Sequence, residues 1–318
     1  QHATADFGKF IRLGVEGVKQ QIRDSLEKYS DNEQKVEFLT ACLMMCDGII
    51  AWALKCAEEC AARAMEEQDE VRRAQLLQMS ENLKRVPRYP ASNFYEAVQT
   101  LYFCFDFLSD SLGLPDRWLY PYYKKDLADG TLTLDEAREI LAHFFIKGCE
   151  WICGGDYGSG DAQHYQNIVL SGVDENGCDV TNHVTYLILD VIEELGISDF
   201  PTTVRLNRST DPKLLRRVAE VMRFGGGILA VYNEELILNA LVKDGYDRRE
   251  ATKFANDGCW EVQIPGKTYF AYTPFDSLQI LQKKTLGAFC NCPSFPNFDA
   301  LYEKYCADLR EHIESIFN

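Results

Sequence analysis

The chain has 318 residues, of which 46% are hydrophobic and 26% are charged, and these fractions are typical of a folded globular protein and exclude wholesale disorder. Lys and Arg total 33 against 49 Asp and Glu, so the net charge is −16 at pH 7. A chain this acidic is repelled by phosphate backbones and anionic lipid, which argues against nucleic acids and membrane surfaces as partners.

The first 160 residues have the apolar spacing of helices. Near the start, apolar side chains recur at three- and four-residue steps: Phe7, Phe10, Ile11, Val15, Val18 and Ile22. The most apolar stretch, residues 38–54, contains Asp47 and falls short of the roughly 20 apolar residues that a bilayer span needs. We therefore expect a buried core helix there. Asn93 and Thr133 are placed to cap two later helices.

In residues 161–318, short apolar runs alternate with helical patterns. Strand-like runs occupy 167–171, 202–206 and 228–232, and helical patterns occupy 181–195, 212–223 and 234–242. Such alternation predicts parallel β/α units, so these three strands should lie side by side.

The 12 cysteines include no C-x-x-C pair, and the five histidines form no H-x-x-x-H or H-E-x-x-H motif. Neither pattern of a zinc site is present, so we expect no bound metal. Buried, reduced thiols in a cytoplasmic protein are the simplest interpretation. We see no basic segment followed by an apolar one, so no signal peptide is expected.

The segment 256–261, NDGCWE, carries the clearest chemical signal. Turn residues precede Cys259, and the carboxylate of Glu261 follows two positions later. In an extended segment both side chains point to the same side, where a thiol and a carboxylate suit the movement of hydrogen or protons on a bound substrate. Composition alone leaves open that this Cys and Glu are incidental.

A series of motifs in a fixed order makes the interpretation more specific. They are HATADF at 2–7, VP at 86–87 with FYEAVQ at 94–99, LYPYYKKDL at 119–127, GTLT at 130–133, QNIVLSG at 166–172, PTTVR at 201–205, YNEE at 232–235 and GCWE at 258–261. This series resembles the pyruvate formate-lyase-like glycyl radical enzymes, in particular the branch of dehydratases, decarboxylases and related lyases.

The resemblance implies a fold and a site. The fold is part of a ten-stranded α/β barrel, with a largely helical N-terminal third and the cysteine loop near 256–263, all within one partial barrel domain over 1–318. Cys259 is implied as the thiyl-radical residue and Glu261 as the adjacent acid or base. Four further residues are implied or expected to contact substrate: His2, Ser109, Asp116 and Thr273.

The resemblance also implies partners. The cofactor is a protein glycyl radical, installed by a radical-SAM activase, with no other bound cofactor, and the complete enzyme is expected to be a homodimer. The family's radical glycine motif does not occur in this sequence. We therefore expect an internal fragment that lacks the glycine radical domain and is inactive alone.

Elimination from a small polar substrate is the predicted reaction, with cleavage of a C–O, C–N or C–S bond. Cys259 has Gly258 and Trp260 as neighbours, whereas acyl transfer in this family uses two adjacent cysteines. An arylacetate-type decarboxylase or a formate C-acetyltransferase-like enzyme remains an alternative within the family. A non-catalytic helical scaffold protein is the alternative from another class.

Overall fold

A computed structural model describes residues 2–108, 111–149, 166–197, 200–225, 227, 229–270, 275–289 and 293–317. The chain forms two compact units, Gln1–Phe270 and Ala271–Asn318. The single-domain boundary over 1–318 stays a prediction.

The larger unit begins with a helical layer. Its helices are α1 (Phe7–Lys28), α2 (Glu33–Glu66), α3 (Glu70–Arg85), α4 (Phe94–Leu108), α5 (Pro115–Asp129) and α6 (Leu134–Gly148). Thr133 and Glu136 form a reciprocal capping box at the start of α6, and the Asn93 side chain accepts a hydrogen bond from the Glu96 amide at the start of α4. The predicted helical N-terminal third is confirmed.

Gly14 interrupts α1 and lets another segment approach closely. Its φ is +65°, and a Cβ built on it would lie 2.4 Å from the carbonyl carbon of Tyr89. The backbone groups on either side of the break are hydrogen-bonded to the approaching segment. The amide of Val15 donates to the carbonyl of Pro87, and the amide of Ala91 donates to that of Ile11. A side chain at position 14 would push these two segments apart.

Helix α2 is apolar but only one of its faces is buried. Its most apolar window of 18 residues has a mean hydropathy of 1.6 and is 17% buried, and by length and composition this one helix among the described residues passes the test for a membrane span. A core helix of a soluble protein passes the same test. The buried stripe, which includes Cys46, Ile49 and Ala53, packs in one apolar cluster with Val15 and Phe103.

The expectation of a buried core helix over 38–54 therefore holds for one stripe only. Phe38 and Met44 are 68% and 71% exposed. Asp47, which interrupts the apolar stretch, has a partner, because the Lys19 ammonium of α1 binds its carboxylate. This ion pair explains how the charge is accommodated beside the buried stripe.

The second half of the larger unit builds a parallel sheet in the order β2 (Ile168–Ser171), β3 (Thr202–Leu206), β4 (Leu229–Asn233). Ile168 pairs with Thr202, and Thr202 pairs with Leu229. Helices α7 (His183–Leu195) and α8 (Pro212–Met222) make the two crossovers. The three predicted strands thus lie side by side as expected.

Burial explains why these strands read as apolar runs. All four residues of β2 and the first four of β3 are buried, as is typical of parallel strands covered on both faces. Asn182 caps α7 by a reciprocal capping box with Thr185, and Pro212 stands in the first turn of α8, where its missing N–H costs nothing.

The remaining elements of the larger unit are short. They are β1 (His2–Ala3), α9 (Glu234–Lys243), α10 (Arg248–Ala251), β5 (Ala255–Asp257), β6 (Glu261–Gln263) and β7 (Tyr269–Phe270). β1 pairs with β7, and β5 pairs with β6, both antiparallel.

The smaller unit contains α11 (Ser277–Gln279), a π-helical turn (Ile280–Thr285), a short 3-10 turn (Gly287–Phe289) and α12 (Phe298–Phe317). Asp308 of α12 is buried, and its carboxylate accepts hydrogen bonds from Thr285 and Lys304. These bonds lower the pKa of Asp308.

Candidate functional site

Cys259 lies at the tip of a β-hairpin. Strands β5 and β6 pair Asp257 with Glu261, and the three residues 258–260 form the connection. The Cys259 side chain is exposed, and Glu261, the first residue of β6, is half-buried. The expected extended conformation is not found at Cys259, which lies in the turn itself, so the alternation of a strand does not relate it to Glu261. The Cα atoms of residues two positions apart still lie at most about 7 Å from each other, so the thiol and the carboxylate occupy one end of the hairpin.

The backbone of the tip has an unusual conformation. Trp260 has φ +81°, a left-handed value that is rare for a bulky side chain. Gly258, on the other side of Cys259, has φ +50°, which glycine adopts without penalty. The amide of Trp260 donates to the Asp257 carbonyl at 3.0 Å and closes the turn. Strain of this kind persists only where the surroundings fix it.

Side chains from the parallel sheet hold the hairpin. The Asn167 amide, just before β2, donates to the Gly258 carbonyl at 3.1 Å, and the Tyr232 hydroxyl of β4 donates to the Trp260 carbonyl. The Asn256 amide donates to Thr203 Oγ1 of β3 at 2.9 Å. Strands β3 and β4 and the residue just before β2 therefore each supply a hydrogen bond to the hairpin.

The segment before Cys259 crosses the sheet antiparallel to its strands. Arg205, at the carboxyl end of β3, donates to the carbonyls of Thr252 and Phe254 at 3.0 and 2.9 Å. Thr203 meets Asn256, and Asn167, at the amino end of β2, meets Gly258. The segment therefore runs from the carboxyl end of β3 to Asn167 at the amino end of β2, while Tyr232, near the carboxyl end of β4, reaches the tip from the other side.

A buried ion pair anchors this segment. Arg205 Nε donates to Glu234 Oε2 at 2.6 Å, a second guanidinium nitrogen binds Oε1, and the side chains are 0% and 1% exposed. The guanidinium also lies over the Phe254 ring, 3.8 Å from its centroid. Nearby, burial and the Arg205 charge lower the pKa of Arg117 to about 10.

Asp116 lies beside Ser171, at the carboxyl end of β2. Its Oδ2 accepts hydrogen bonds from the Ser171 amide at 2.8 Å and from Thr185 Oγ1 at 2.7 Å, and its side chain is fully buried. Burial raises its pKa. The contact of Asp116 with substrate stays a prediction.

The other three expected substrate contacts have different outcomes. The backbone of His2 pairs with Phe270, and the neighbouring Thr4 hydroxyl reaches the Asn256 carbonyl at 3.5 Å, so this terminal segment lies beside the hairpin. Ser109 and Thr273 lie outside the described residues. All three assignments remain predictions.

Within the described part of the chain, no group of three or more His, Cys, Asp and Glu side chains is arranged to hold a metal ion. The nine cysteines described there form no disulfide. Burial raises the pKa of the thiols of Cys46 and Cys104, so both are poor nucleophiles, whereas Cys259 is exposed.

Four residues that support the hairpin are part of the sequence motifs, but the sequence alone did not assign them this role: Asn167, Arg205, Tyr232 and Glu234. The available signal was polar residues inside or at the ends of apolar strands, because a buried polar side chain needs a partner. That signal marks burial but does not identify the partner.

Comparison with known proteins extends these observations. The model of the pyruvate formate lyase-like family matches residues 1–282. An isethionate sulfite-lyase of Bilophila wadsworthia is 32% identical over 295 residues, which cover 86% of this chain and 35% of that protein. An indoleacetate decarboxylase of Tractidigestivibacter scatoligenes is 32% identical over 267 residues, covering 79% of this chain and 30% of that protein.

Among solved structures, one on 1,2-propanediol dehydration in Roseburia inulinivorans superposes with a TM-score of 0.88 at 30% identity, covering 98% of this chain and 41% of that one. The superposition confirms the predicted fold class, part of the α/β barrel of glycyl radical enzymes. The chain spans about a third of the length of the curated relatives it matches.

Proposed function

The chain belongs to the pyruvate formate lyase-like family of glycyl radical enzymes, and from that premise we propose that the complete protein is a lyase that eliminates a group from a small polar substrate. The observation that carries the proposal is the position of Cys259: an exposed thiol on a hairpin tip held by side chains of the parallel sheet and its edge, with Glu261 beside it.

Cys259 is proposed to transfer hydrogen atoms. A protein glycyl radical, installed by a radical-SAM activase, would supply the unpaired electron, and Cys259 is the residue that would give up its thiol hydrogen atom to it. The resulting sulfur radical removes a hydrogen atom from a substrate carbon, breaking a C–H bond and forming an S–H bond. After elimination, the thiol returns that hydrogen atom to the product radical.

Glu261 is proposed to move the proton that elimination requires. The bond from the adjacent carbon to oxygen, nitrogen or sulfur breaks, and the leaving group departs with its electron pair. A protonated Glu261 can give it a proton, or an ionised Glu261 can accept one from a substrate hydroxyl. The predicted contacts of His2, Ser109, Asp116 and Thr273 with polar groups of the substrate belong to this proposal.

The chemistry of Cys259 and its neighbours favours elimination over acyl transfer, since Gly258 and Trp260 flank the thiol and acyl transfer in this family uses two adjacent cysteines. The relative that acts on isethionate is named a sulfite-lyase, which supports C–S cleavage as one possibility. A homodimeric assembly and a cytoplasmic location are further parts of the proposal, and the described cysteines, which form no disulfide, are consistent with a reducing compartment.

Decarboxylation of an arylacetate is the second candidate. Two observations favour it: the similarity to an indoleacetate decarboxylase, and the aromatic side chains Tyr269 and Phe270 of β7, which are 65% and 37% exposed. Such rings suit the wall of a pocket for an aryl group.

The test is to activate the complete enzyme anaerobically and offer it diols, amino alcohols, hydroxyprolines, sulfonates and arylacetates. We expect an elimination product from one polar compound, and Cys259→Ser should lose turnover while still acquiring the glycyl radical, because the O–H bond is too strong for hydrogen-atom exchange. Carbon dioxide from an arylacetate, with no elimination product from any other compound, would establish the second candidate instead. Retained turnover in Cys259→Ser would refute both.

A further inference from the structure

The residues on either side of Cys259 each have a carbonyl that accepts a hydrogen bond from a side chain of the parallel sheet or its edge. Asn167 donates to the Gly258 carbonyl at 3.1 Å, and Tyr232 donates to the Trp260 carbonyl. Asn167 immediately precedes β2 and Tyr232 lies in β4, and these are the outer strands of the three-stranded sheet, about 10 Å apart. The hairpin tip is therefore held from two sides, once before and once after the reactive residue.

We propose that Asn167 and Tyr232 are positioning residues that clamp the Cys259 loop and fix where its sulfur meets the substrate. This inference rests on the proposed function for its catalytic consequence, but the clamp itself is a property of the folded chain.

Hydrogen-bond directions support the clamp. The Asn256 amide nitrogen has two hydrogens, and its two acceptors are Thr203 Oγ1 at 2.9 Å and Tyr232 Oη at 3.4 Å. Because Asn256 donates to the Tyr232 oxygen, the single phenolic proton is left for the Trp260 carbonyl. Burial raises the pKa of Tyr232, so this proton is retained at neutral pH.

Burial of the donors increases the cost of losing these hydrogen bonds. Asn167 and Asn256 are both fully buried. Water cannot readily replace a buried donor, and an unpaired buried carbonyl is costly. The Asn167 bond is therefore not exchanged for hydration as a surface hydrogen bond would be, and the half-buried Tyr232 is held through the buried Asn256.

Backbone strain supplies a reason for a clamp at this place. Trp260 is held at φ +81°, a conformation from which a bulky residue tends to relax by rotating its flanking peptide groups. Such a relaxation turns the 259–260 peptide against the 260–261 peptide, and both are held: the Trp260 amide donates to the Asp257 carbonyl, and Tyr232 donates to the Trp260 carbonyl. The reacting atoms must be placed within a fraction of an ångström for efficient hydrogen-atom transfer, so loosening this loop should slow the reaction.

Hydrogen exchange in the purified protein tests the clamp directly. Tyr232→Phe removes one hydroxyl and keeps the ring against Phe254, whose centroid is 6.3 Å away. We expect the hairpin amides of Gly258 and Trp260, both hydrogen-bonded to Asp257, to exchange about three- to tenfold faster in this variant, the range for loss of one hydrogen bond. Asn167→Ala should have a similar effect.

The matched control is Tyr122→Phe. The Tyr122 hydroxyl also donates to a backbone carbonyl, that of Ile11 at 3.4 Å, but in the helical layer. This variant should leave exchange at 258–260 unchanged. Unchanged exchange in Tyr232→Phe, or an equal increase in Tyr122→Phe, overturns the clamp whether or not the enzyme is active.

The kinetic arm uses the complete, activated enzyme. Tyr232→Phe should lower kcat with KM and radical yield unchanged, while Tyr122→Phe should resemble the wild type. A lower kcat with unchanged hairpin exchange would assign Tyr232 a chemical role and contradict the positioning role. Absence of turnover in the wild type, combined with faster exchange in Tyr232→Phe, would refute the proposed function and leave the clamp standing.

Discussion

Glu234 accepts two hydrogen bonds from Arg205 at a place where neither side chain is exposed to solvent. The same guanidinium binds the carbonyls of Thr252 and Phe254, the backbone that leads into the cysteine hairpin. The ion pair therefore joins β3 and α9 to the segment that leads into the hairpin of the proposed radical residue. A bidentate arginine suits this task because its planar donors bind a carboxylate and two carbonyls at once.

Removing the carboxylate should be costly. We expect Glu234→Gln to lower the free energy of unfolding by about 3–5 kcal/mol, because the Arg205 charge would remain buried without a counter-charge. Urea denaturation of the purified protein measures the change. Glu235→Gln is the control, since the neighbouring Glu235 pairs with Arg208 at the surface, where such pairs contribute little. Equal losses in the two variants would contradict a special role for the buried pair.

Glu261→Gln should affect catalysis and not radical formation. If Glu261 moves the proton in an elimination, we expect kcat to fall by about 10²- to 10⁴-fold, because an amide does not exchange a proton near neutral pH. Glycyl radical yield by electron paramagnetic resonance should stay at the wild-type level, and Glu235→Gln should keep full activity. An elimination rate that is unchanged in Glu261→Gln would exclude the proposed proton transfer.

Asp116 predicts a defined pH dependence of stability. Burial raises its pKa above the ordinary value of 3.8, so the folded state holds this proton more tightly than the unfolded state. Its contribution to the free energy of unfolding is therefore complete below about pH 3.8 and is lost as the pH rises through the folded pKa. Asp116→Asn keeps an oxygen for Ser171 and Thr185 without titrating. We expect the stability of the wild type relative to this variant to decrease as the pH rises from about 4.

Asp174 provides a control of opposite sign. Backbone hydrogen bonds, first from Cys178, lower its pKa. The stabilisation of the wild type relative to Asp174→Asn should therefore be fully present above about pH 4 and be lost as the pH falls through the folded pKa of Asp174. Unfolding free energies measured at several pH values decide the matter. A difference that does not vary with pH at position 116 would show that its carboxyl is not perturbed.

Gly14→Ala tests the break in α1. A residue at φ +65° without glycine's freedom costs about 1–2 kcal/mol, and the clash with the Tyr89 backbone adds about 1–3 kcal/mol. Gly130→Ala is the matched control, because Gly130 has φ +70° with open space around it. We expect Gly14→Ala to be clearly the more destabilising in urea denaturation. Similar losses would mean that conformation alone explains Gly14.

The sequence identified features that depend on local periodicity. Apolar runs at 167–171, 202–206 and 228–232 marked the strands within a residue of their ends, because both faces of a parallel strand are buried. Thr133 was read as a cap because its hydroxyl bonds to an amide three residues away. These interactions join residues that are close in the sequence.

Long-range pairings could not be read in this way. β1 and β7 have two residues each and join His2 to Phe270, with no periodic pattern in either. The hairpin of β5 and β6 was expected only as a turn followed by an extended segment, since three-residue strands carry almost no alternation. The proposed catalytic residues came from the resemblance, whereas Arg205 and Glu234 needed coordinates to be recognised as a pair.

Several contacts that fix the cysteine hairpin come from one stretch of chain, which begins at Asn167 and ends at Trp260, and Thr4 and Ser111 add bonds to the Asn256 carbonyl from outside it. The four predicted substrate contacts, His2, Ser109, Asp116 and Thr273, all lie outside that stretch. Substitutions at these four positions change none of the side chains that bond to the hairpin from Asn167, Thr203 and Tyr232. The proposed substrate contacts and the side chains that position Cys259 can therefore be altered separately.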